Sequence, residues 1–250
     1  MPKIICVHSY RGGTGKSNLT ANIATALAME GHRVGVVDTD IQSPGVHFIF
    51  GLEEDEIDKT LNNFLWGQCK PEEIAYDVSD PKVNDLGGKV FLFPASIKPE
   101  DITRILSEGY DFKLLHFGFR QFVKRLELDY LIVDSHPGLN KETLLSFAVS
   151  NLVLLILRPD RQDFQGTAVT VDIAQKLNVN KMMLVINKAL TSMDLVSLRQ
   201  KVEKTYNLPV IGLLTLSEDM IRLGSKGVFY LQFPDHPFSD EIHRIAKQIE

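Results

Sequence analysis

Eight residues near the start of the chain, Tyr10-Arg11-Gly12-Gly13-Thr14-Gly15-Lys16-Ser17, constrain its fold more than any other segment. They follow the apolar run Lys3-Ile4-Ile5-Cys6-Val7-His8 and precede a helical pattern, so a strand passes the chain to a helix across a glycine-rich turn. Gly12, Gly13 and Gly15 permit positive φ and turn successive N–H groups toward one point, which the positive dipole end of the helix opening at Ser17 also faces. A turn built this way cradles phosphate. Lys16 is then placed to reach the β and γ phosphates of a nucleotide, and the Ser17 hydroxyl to hold Mg²⁺. Thr14, inside the loop, and Asn18, just after it, complete the run expected to touch the nucleotide. The strict pattern G-x-x-x-x-G-K-[ST] requires glycine where this chain has Tyr10, so a literal motif match fails; Gly-Gly-x-Gly-Lys-Ser in a strand-turn-helix context remains.

The rest of the chain supports an α/β domain. Short β-branched runs alternate with longer patterns of period 3.6, the signature of a largely parallel sheet with helices on both faces. The expected strands are 4–8, 34–38, 90–94, 130–134, 152–157, 182–187 and 210–214, giving a twisted sheet of about 7–8 strands. Helices are expected over 17–30, 164–177, 194–206 and 238–250. Residues 51–89 break the alternation with the acidic run Glu53-Glu54-Asp55-Glu56, a short helical piece at 60–67 and a turn-rich stretch, and read as a surface excursion. At 250 residues and 44% hydrophobic, the chain suits one domain spanning 1–250. The net charge of −5 gives no global attraction to nucleic acid or anionic lipid, so any DNA contact must come from a local basic patch. Cys6 and Cys69 form neither a C-x-x-C pair nor a disulfide framework, and no apolar run approaches the roughly 18 residues of a spanning helix; a cytoplasmic location is expected.

Carboxylates at strand ends complete the site. Val34-Gly35-Val36-Val37-Asp38-Thr39-Asp40 ends a buried strand with acids at i and i+2, which share a face where the extended conformation continues. Leu131-Ile132-Val133-Asp134 ends in an acid followed by Ser135-His136-Pro137-Gly138. Ligands of open α/β sheets bind at the carboxyl ends of strands, so all three acids can face the phosphates.

On these residues the chain resembles the ParA/MinD group of deviant Walker-type ATPases. The matching segments are the loop at 10–17, Val37-Asp38-Thr39-Asp40, Phe91-Leu92-Phe93-Pro94-Ala95-Ser96, Ile132–Gly138 and Val185-Ile186-Asn187-Lys188. The resemblance implies a P-loop fold and an ATP-dependent homodimer that sandwiches two nucleotides and loosens after slow hydrolysis. It gives Lys16 and Ser17 to phosphate and Mg²⁺, Asp38 and Asp134 to the metal, and Asp40 to positioning the attacking water. Asn187 matches a position that contacts adenine, and the segment from Leu216 and Ser217 to Asp219 supplies base contacts from its backbone.

The family's hallmark lysine, which reaches across the dimer to the partner's phosphates, is replaced here by Arg11. Three readings stay open: Arg11 makes the same contact with a different geometry, Lys141 or Arg158 substitutes for it, or ATP binds without a cross-dimer contact. The departure is similar to that of the carboxysome-positioning member, which implies cargo positioning on the nucleoid through non-specific DNA binding, with an adaptor protein that stimulates hydrolysis. Plasmid or chromosome partition and membrane-cycling division-site regulation are the alternatives. Two basic sets are candidates for DNA: Arg222, Lys226, Arg244 and Lys247, or Lys181, Lys201 and Lys204. The final helix carries Phe238, Ile242, Ile245, Ala246 and Ile249 on one face with mixed charges opposite, which reads as packing on the sheet rather than as a membrane anchor.

Overall fold

In the computed structural model, which describes residues 2–250, the expected strands all form. In chain order they are β1 (Lys3–His8), β2 (Arg33–Asp38), β3 (Tyr76–Asp77), β4 (Lys89–Phe93), β5 (Tyr130–Asp134), β6 (Leu152–Leu157), β7 (Met182–Ala189) and β8 (Val210–Thr215). They make one sheet in the order β3-β4-β2-β5-β1-β6-β7-β8. Every pairing is parallel except that of β3 with β4. From β1 the chain moves to β2 on one side, and after β5 it crosses to β6 on the other, so the order reverses at β1. A crevice therefore opens beyond its carboxyl end, where ligands of such sheets bind.

Strand alternation assigns the two faces. Ile5 and Val7 of β1, Val34 and Val36 of β2, and Tyr130 and Ile132 of β5 pack with Leu19, Ile23 and Leu27 of the helix Lys16–Met29. Phe238, Ile242, Ile245 and Ile249 of the helix Pro237–Ile249 join that layer, so this helix spends its apolar face on the core, as its pattern implies. On the opposite face, Val37, Leu131 and Val133 pack with Leu115, Phe119 and Phe122 of the helix Phe112–Arg125. Cys6, Val153, Leu155 and Leu184 pack there with residues of the helices Lys141–Val149, Arg161–Lys176 and Leu195–Tyr206. Asp134 has the parity of Ile132 and so points to the layer of the helix Lys16–Met29, directly under its first turn.

Several elements depart from the sequence reading. The helices Pro99–Glu108 and Phe112–Arg125 fill a region given no elements, and Lys141–Val149 follows the acid-bearing turn. The excursion at 51–89 holds β3, a two-residue antiparallel edge strand, and the helix Leu61–Leu65, whose Leu61, Phe64 and Leu65 are buried; it covers the core rather than leaving it.

Candidate active site

The loop after β1 has the conformation its glycines allow. Gly13 and Gly15 have φ of 77° and 88°. Gly15 stands at the N-cap of the helix Lys16–Met29 with no side-chain cap hydrogen bond, leaving the first-turn N–H groups available to an anion. A Cβ at Gly15 would also lie 2.6 Å from Asn187 Nδ2, so the position excludes side chains twice over. Beside these amides, the Thr14 hydroxyl is buried without a hydrogen-bond partner.

Asp134 gathers the charged part of the site. Its Oδ1 accepts hydrogen bonds from Lys16 Nζ at 2.9 Å and Thr20 Oγ1 at 3.0 Å, and its Oδ2 accepts from Ser17 Oγ at 2.7 Å. The carboxylate is fully buried and Lys16 nearly so. Burial opposes the Lys16 ammonium, yet the charge and hydrogen bond of Asp134, with Asp40 and Asp38 beyond, hold it above the usual lysine range.

Asp38 lies beside Asp134 in register. Its Oδ1 accepts from the Asp40 N–H at 3.0 Å, and its Oδ2 from the N–H groups of Gly45 at 3.1 Å and Val46 at 3.3 Å, so it organises the loop from 38 to 46. Burial, then the neighbouring Asp134 charge, pushes its pKa up to about 7 against the pull of Lys16. Asp40 is raised as well, by burial, with Lys16 and His136 opposing. His136 Nε2 stands 3.8 Å from Asp40 Oδ1. Three carboxylates and a hydroxyl around one ammonium leave an excess of negative oxygen donors, a set that suits a hard cation such as Mg²⁺. Among the described residues, no three His, Cys, Asp or Glu side chains are arranged to hold a metal alone, so such an ion would draw further ligands from phosphate and water.

The other residues singled out in the sequence fall into two groups. Gly15, Asn18, Asn187, Leu216 and Ser217 line one cavity of about 260 Å³ beside the loop. Within it Asn187 Nδ2 donates to the Thr14 carbonyl at 2.8 Å, and Ser217 Oγ caps the helix Glu218–Leu223 by accepting from the Met220 N–H. Arg11 and Gly12 lie outside the cluster, on the exposed rim. Arg11 donates to the Gln162 side chain, on the helix Arg161–Lys176. Arg158 is held by Asp163 through hydrogen bonds of 2.9 and 3.1 Å, and Lys141 sits over the Phe112 ring, so each of the offered substitutes has a partner within its own chain.

Three contributors lack a readable sequence signal for their place. Thr20 is one turn beyond Lys16, and only the parity of β5 brings it to Asp134. His136 is placed by the turn after β5. Lys188, with φ of 57°, turns back so that its Nζ donates to the Gly13 carbonyl at 2.8 Å, and burial, then Arg158, lowers its pKa.

A mostly parallel sheet with a phosphate loop at its switch point and acids on the flanking strands defines a P-loop nucleotide-binding protein. The chain belongs to the CobQ/CobB/MinD/ParA nucleotide-binding domain family, whose model matches residues 5–229. An uncharacterized ATP-binding protein of Methanocaldococcus jannaschii is 24% identical, over 98% of this chain and 86% of its own length. An iron–sulfur cluster carrier protein of Rickettsia bellii is 28% identical over 84% of the chain, which spans only 60% of that relative. In fold, the chain is similar to the septum site-determining protein MinD of Pyrococcus horikoshii, solved with Mg-ADP, at a TM-score of 0.84 and 19% identity, covering 100% of this chain and 96% of that one. It is also similar to apo McdA of Cyanothece, at 0.75 and 18%, covering 99% of each. ATPases of the ParA/MinD type use ATP with Mg²⁺.

Proposed function

We propose that this chain is an ATP-dependent, dimerising ATPase switch. The observation that carries the reading is Asp134, which draws Lys16, Ser17 and Thr20 together directly beneath an uncapped helix N-terminus. In this reading the amides of Gly12 to Ser17, with the Thr14 hydroxyl, bind the phosphates, and Lys16 swings from Asp134 to the β and γ oxygens. Ser17, Asp38 and Asp134 hold Mg²⁺, which when bound neutralises charge on those oxygens. Asp40 orients a water whose oxygen bonds to the γ-phosphorus as the bond to the ADP oxygen breaks, giving ADP, inorganic phosphate and a proton released to solvent. Asn18, Asn187, Leu216 and Ser217 receive the adenosine end in the adjoining cavity, and Arg11 serves the partner's phosphates across the dimer. Only positioning and charge neutralisation are supplied, so turnover is slow, as a switch requires.

The cargo reading rests on Arg11 at the hallmark position and on the likeness in fold to McdA. A large cargo, carboxysome-like in kind, is positioned on the nucleoid through non-specific DNA binding and an adaptor that stimulates hydrolysis. For DNA, Lys181, Lys201 and Lys204 are the stronger set. All three are exposed, and none forms an ion pair among the described residues. In the other set Arg222, Arg244 and Lys247 are each paired with nearby acids, and Lys226 alone is exposed with no ion pair among the described residues. A membrane-cycling role is disfavoured because the helix Pro237–Ile249 packs its apolar face into the core instead of offering it to a bilayer.

Phosphate release with and without Asp40→Ala tests the enzyme: the variant binds fluorescent ATP normally but loses at least tenfold in turnover. Equal rates would sink the assignment. ATP-dependent, salt-sensitive binding to arbitrary duplex DNA, weakened by Lys201→Glu and Lys204→Glu, tests the nucleoid reading. Binding to anionic liposomes instead would overturn it.

A further inference from the structure

The turn Ser135-His136-Pro137-Gly138 carries a histidine to which the proposed function gives no task. The turn is pinned on both sides. Gly138 N–H donates to the Ser9 carbonyl at 3.1 Å, on the phosphate-loop side, and Thr143 Oγ1 donates to the Gly138 carbonyl at 3.1 Å, from the helix Lys141–Val149. On this platform the imidazole is oriented by its own neighbour: Nδ1 lies 2.6 Å from the Pro137 carbonyl. A carbonyl oxygen can only accept, so Nδ1 carries a proton and the tautomer is fixed. Nε2 makes no hydrogen bond among the described residues and faces Asp40 Oδ1 across 3.8 Å. Too long for a direct hydrogen bond, that separation lets one water, seated beside the pair and not between them, touch both groups.

We propose that His136 is a positioning residue for hydrolysis, its Nε2 and the Asp40 carboxylate together forming a two-point cradle for the attacking water. This rests on the ATPase reading above and deepens it. One contact from Asp40 alone leaves a water free to swing about a single hydrogen bond; a second fixed partner removes that freedom and aims a lone pair at the γ-phosphorus. The Nδ1 contact supplies the ring's orientation, and the Nε2 contact supplies the function.

Two amide substitutions separate these roles, because the amide of asparagine approximates the place of Nδ1 and that of glutamine the place of Nε2. Single-turnover ATP hydrolysis is measured for the wild type, His136→Ala, His136→Asn and His136→Gln, with affinity for fluorescent ADP as the check on folding and nucleotide binding. The expected result is a fall in the single-turnover rate constant of at least tenfold for Ala and Asn, a rate for Gln at least threefold above that of Asn, and ADP affinity within twofold of wild type in all. Any other ordering, including equal rates in the four proteins or rescue by Asn alone, overturns the proposal and leaves His136 a holder of its turn. Loss of ADP affinity in the three variants overturns it likewise. A wild type that binds nucleotide without turnover instead refutes the ATPase reading, and the role of His136 falls with it.

Discussion

The stability of the phosphate site depends on single residues. Lys16 is a buried ammonium whose near partner is Asp134. Asp134→Ala therefore leaves an uncompensated buried charge and costs about 3–5 kcal/mol in urea unfolding. Lys16→Met keeps the volume but leaves the buried Asp134 and Asp38 carboxylates without their ammonium, so it costs a comparable amount, and both variants lose nucleotide binding. A cost below about 1 kcal/mol for either variant would show that the pair is not what the folded state depends on. A second residue sets a pH limit. His8 is fully buried, accepts the edge-on contact of Phe147 and lies 2.8 Å from Ser135 Oγ; that hydroxyl donates to the Val7 carbonyl, so Nδ1 donates to it. Burial, with repulsion from Lys16 and His136, lowers its pKa to about 3. Because the folded value lies below the unfolded value of about 6.5, the unfolded chain binds the proton more readily. The contribution of neutral His8 is complete above pH 6.5 and is lost as pH falls toward 3, with a slope of up to about 1.4 kcal/mol per pH unit. Denaturation midpoints between pH 7 and pH 4 measure it, and His8→Leu flattens that slope; an unchanged slope would assign the pH dependence elsewhere.

At the level of elements, the strands and the loop they carry were legible because buried parallel strands are written as short unbroken apolar runs, and an acid at the end of one stands out. The adjacency of Asp38 and Asp134 was not legible. It comes from the pairing of β2 with β5, nearly a hundred residues apart, which periodicity does not encode. The helix Pro99–Glu108 was missed because it buries little beyond Ile105, so its stripe is thin. In the helix Phe112–Arg125 the pattern is broken by Gly118, which is glycine because a Cβ there would lie 2.7 Å from the Phe64 ring. Lys188 and His136 depend on backbone turns, Lys188 on a left-handed residue within β7, and no residue type announces them. The two irregular residues of the phosphate loop are explained at this scale too. Tyr10 lies on the helix Arg161–Lys176 at Gly166, where a Cβ would fall 1.9 Å from its ring. Gly166→Ala must expel Tyr10 and costs about 1–3 kcal/mol despite the higher helix propensity of alanine. Adding Tyr10→Ala restores part of that loss, and a double-mutant cycle reads the coupling; strictly additive effects would mean that the ring is not seated there in solution.

For the whole molecule, the docking of Tyr10 and Arg11 onto the helix Arg161–Lys176 bears on assembly. Arg11 has one exposed partner, Gln162, within its own chain, and the reach across a dimer proposed for it requires that hydrogen bond to break. The two uses of the guanidinium are exclusive, so the intrachain contact biases the molecule toward the monomer by the free energy of one exposed hydrogen bond, about 0.5–1.5 kcal/mol. Gln162→Ala removes the competing partner without touching the phosphate loop. In sedimentation velocity with ATP and Mg²⁺ it tightens dimerisation by about five- to a hundredfold, because one such contact is released in each protomer. Arg11→Ala binds ATP with unchanged affinity and fails to dimerise, and Gln162→Ala in that background has no further effect, since the competition no longer exists. Arg11→Lys keeps the charge but loses the planar fork, so it dimerises and is less sensitive to Gln162. If Arg11→Ala dimerises as the wild type does, another cation closes the interface. Lys188 is then the first to replace, because its ammonium already sits on the Gly13 carbonyl at the mouth of the same site.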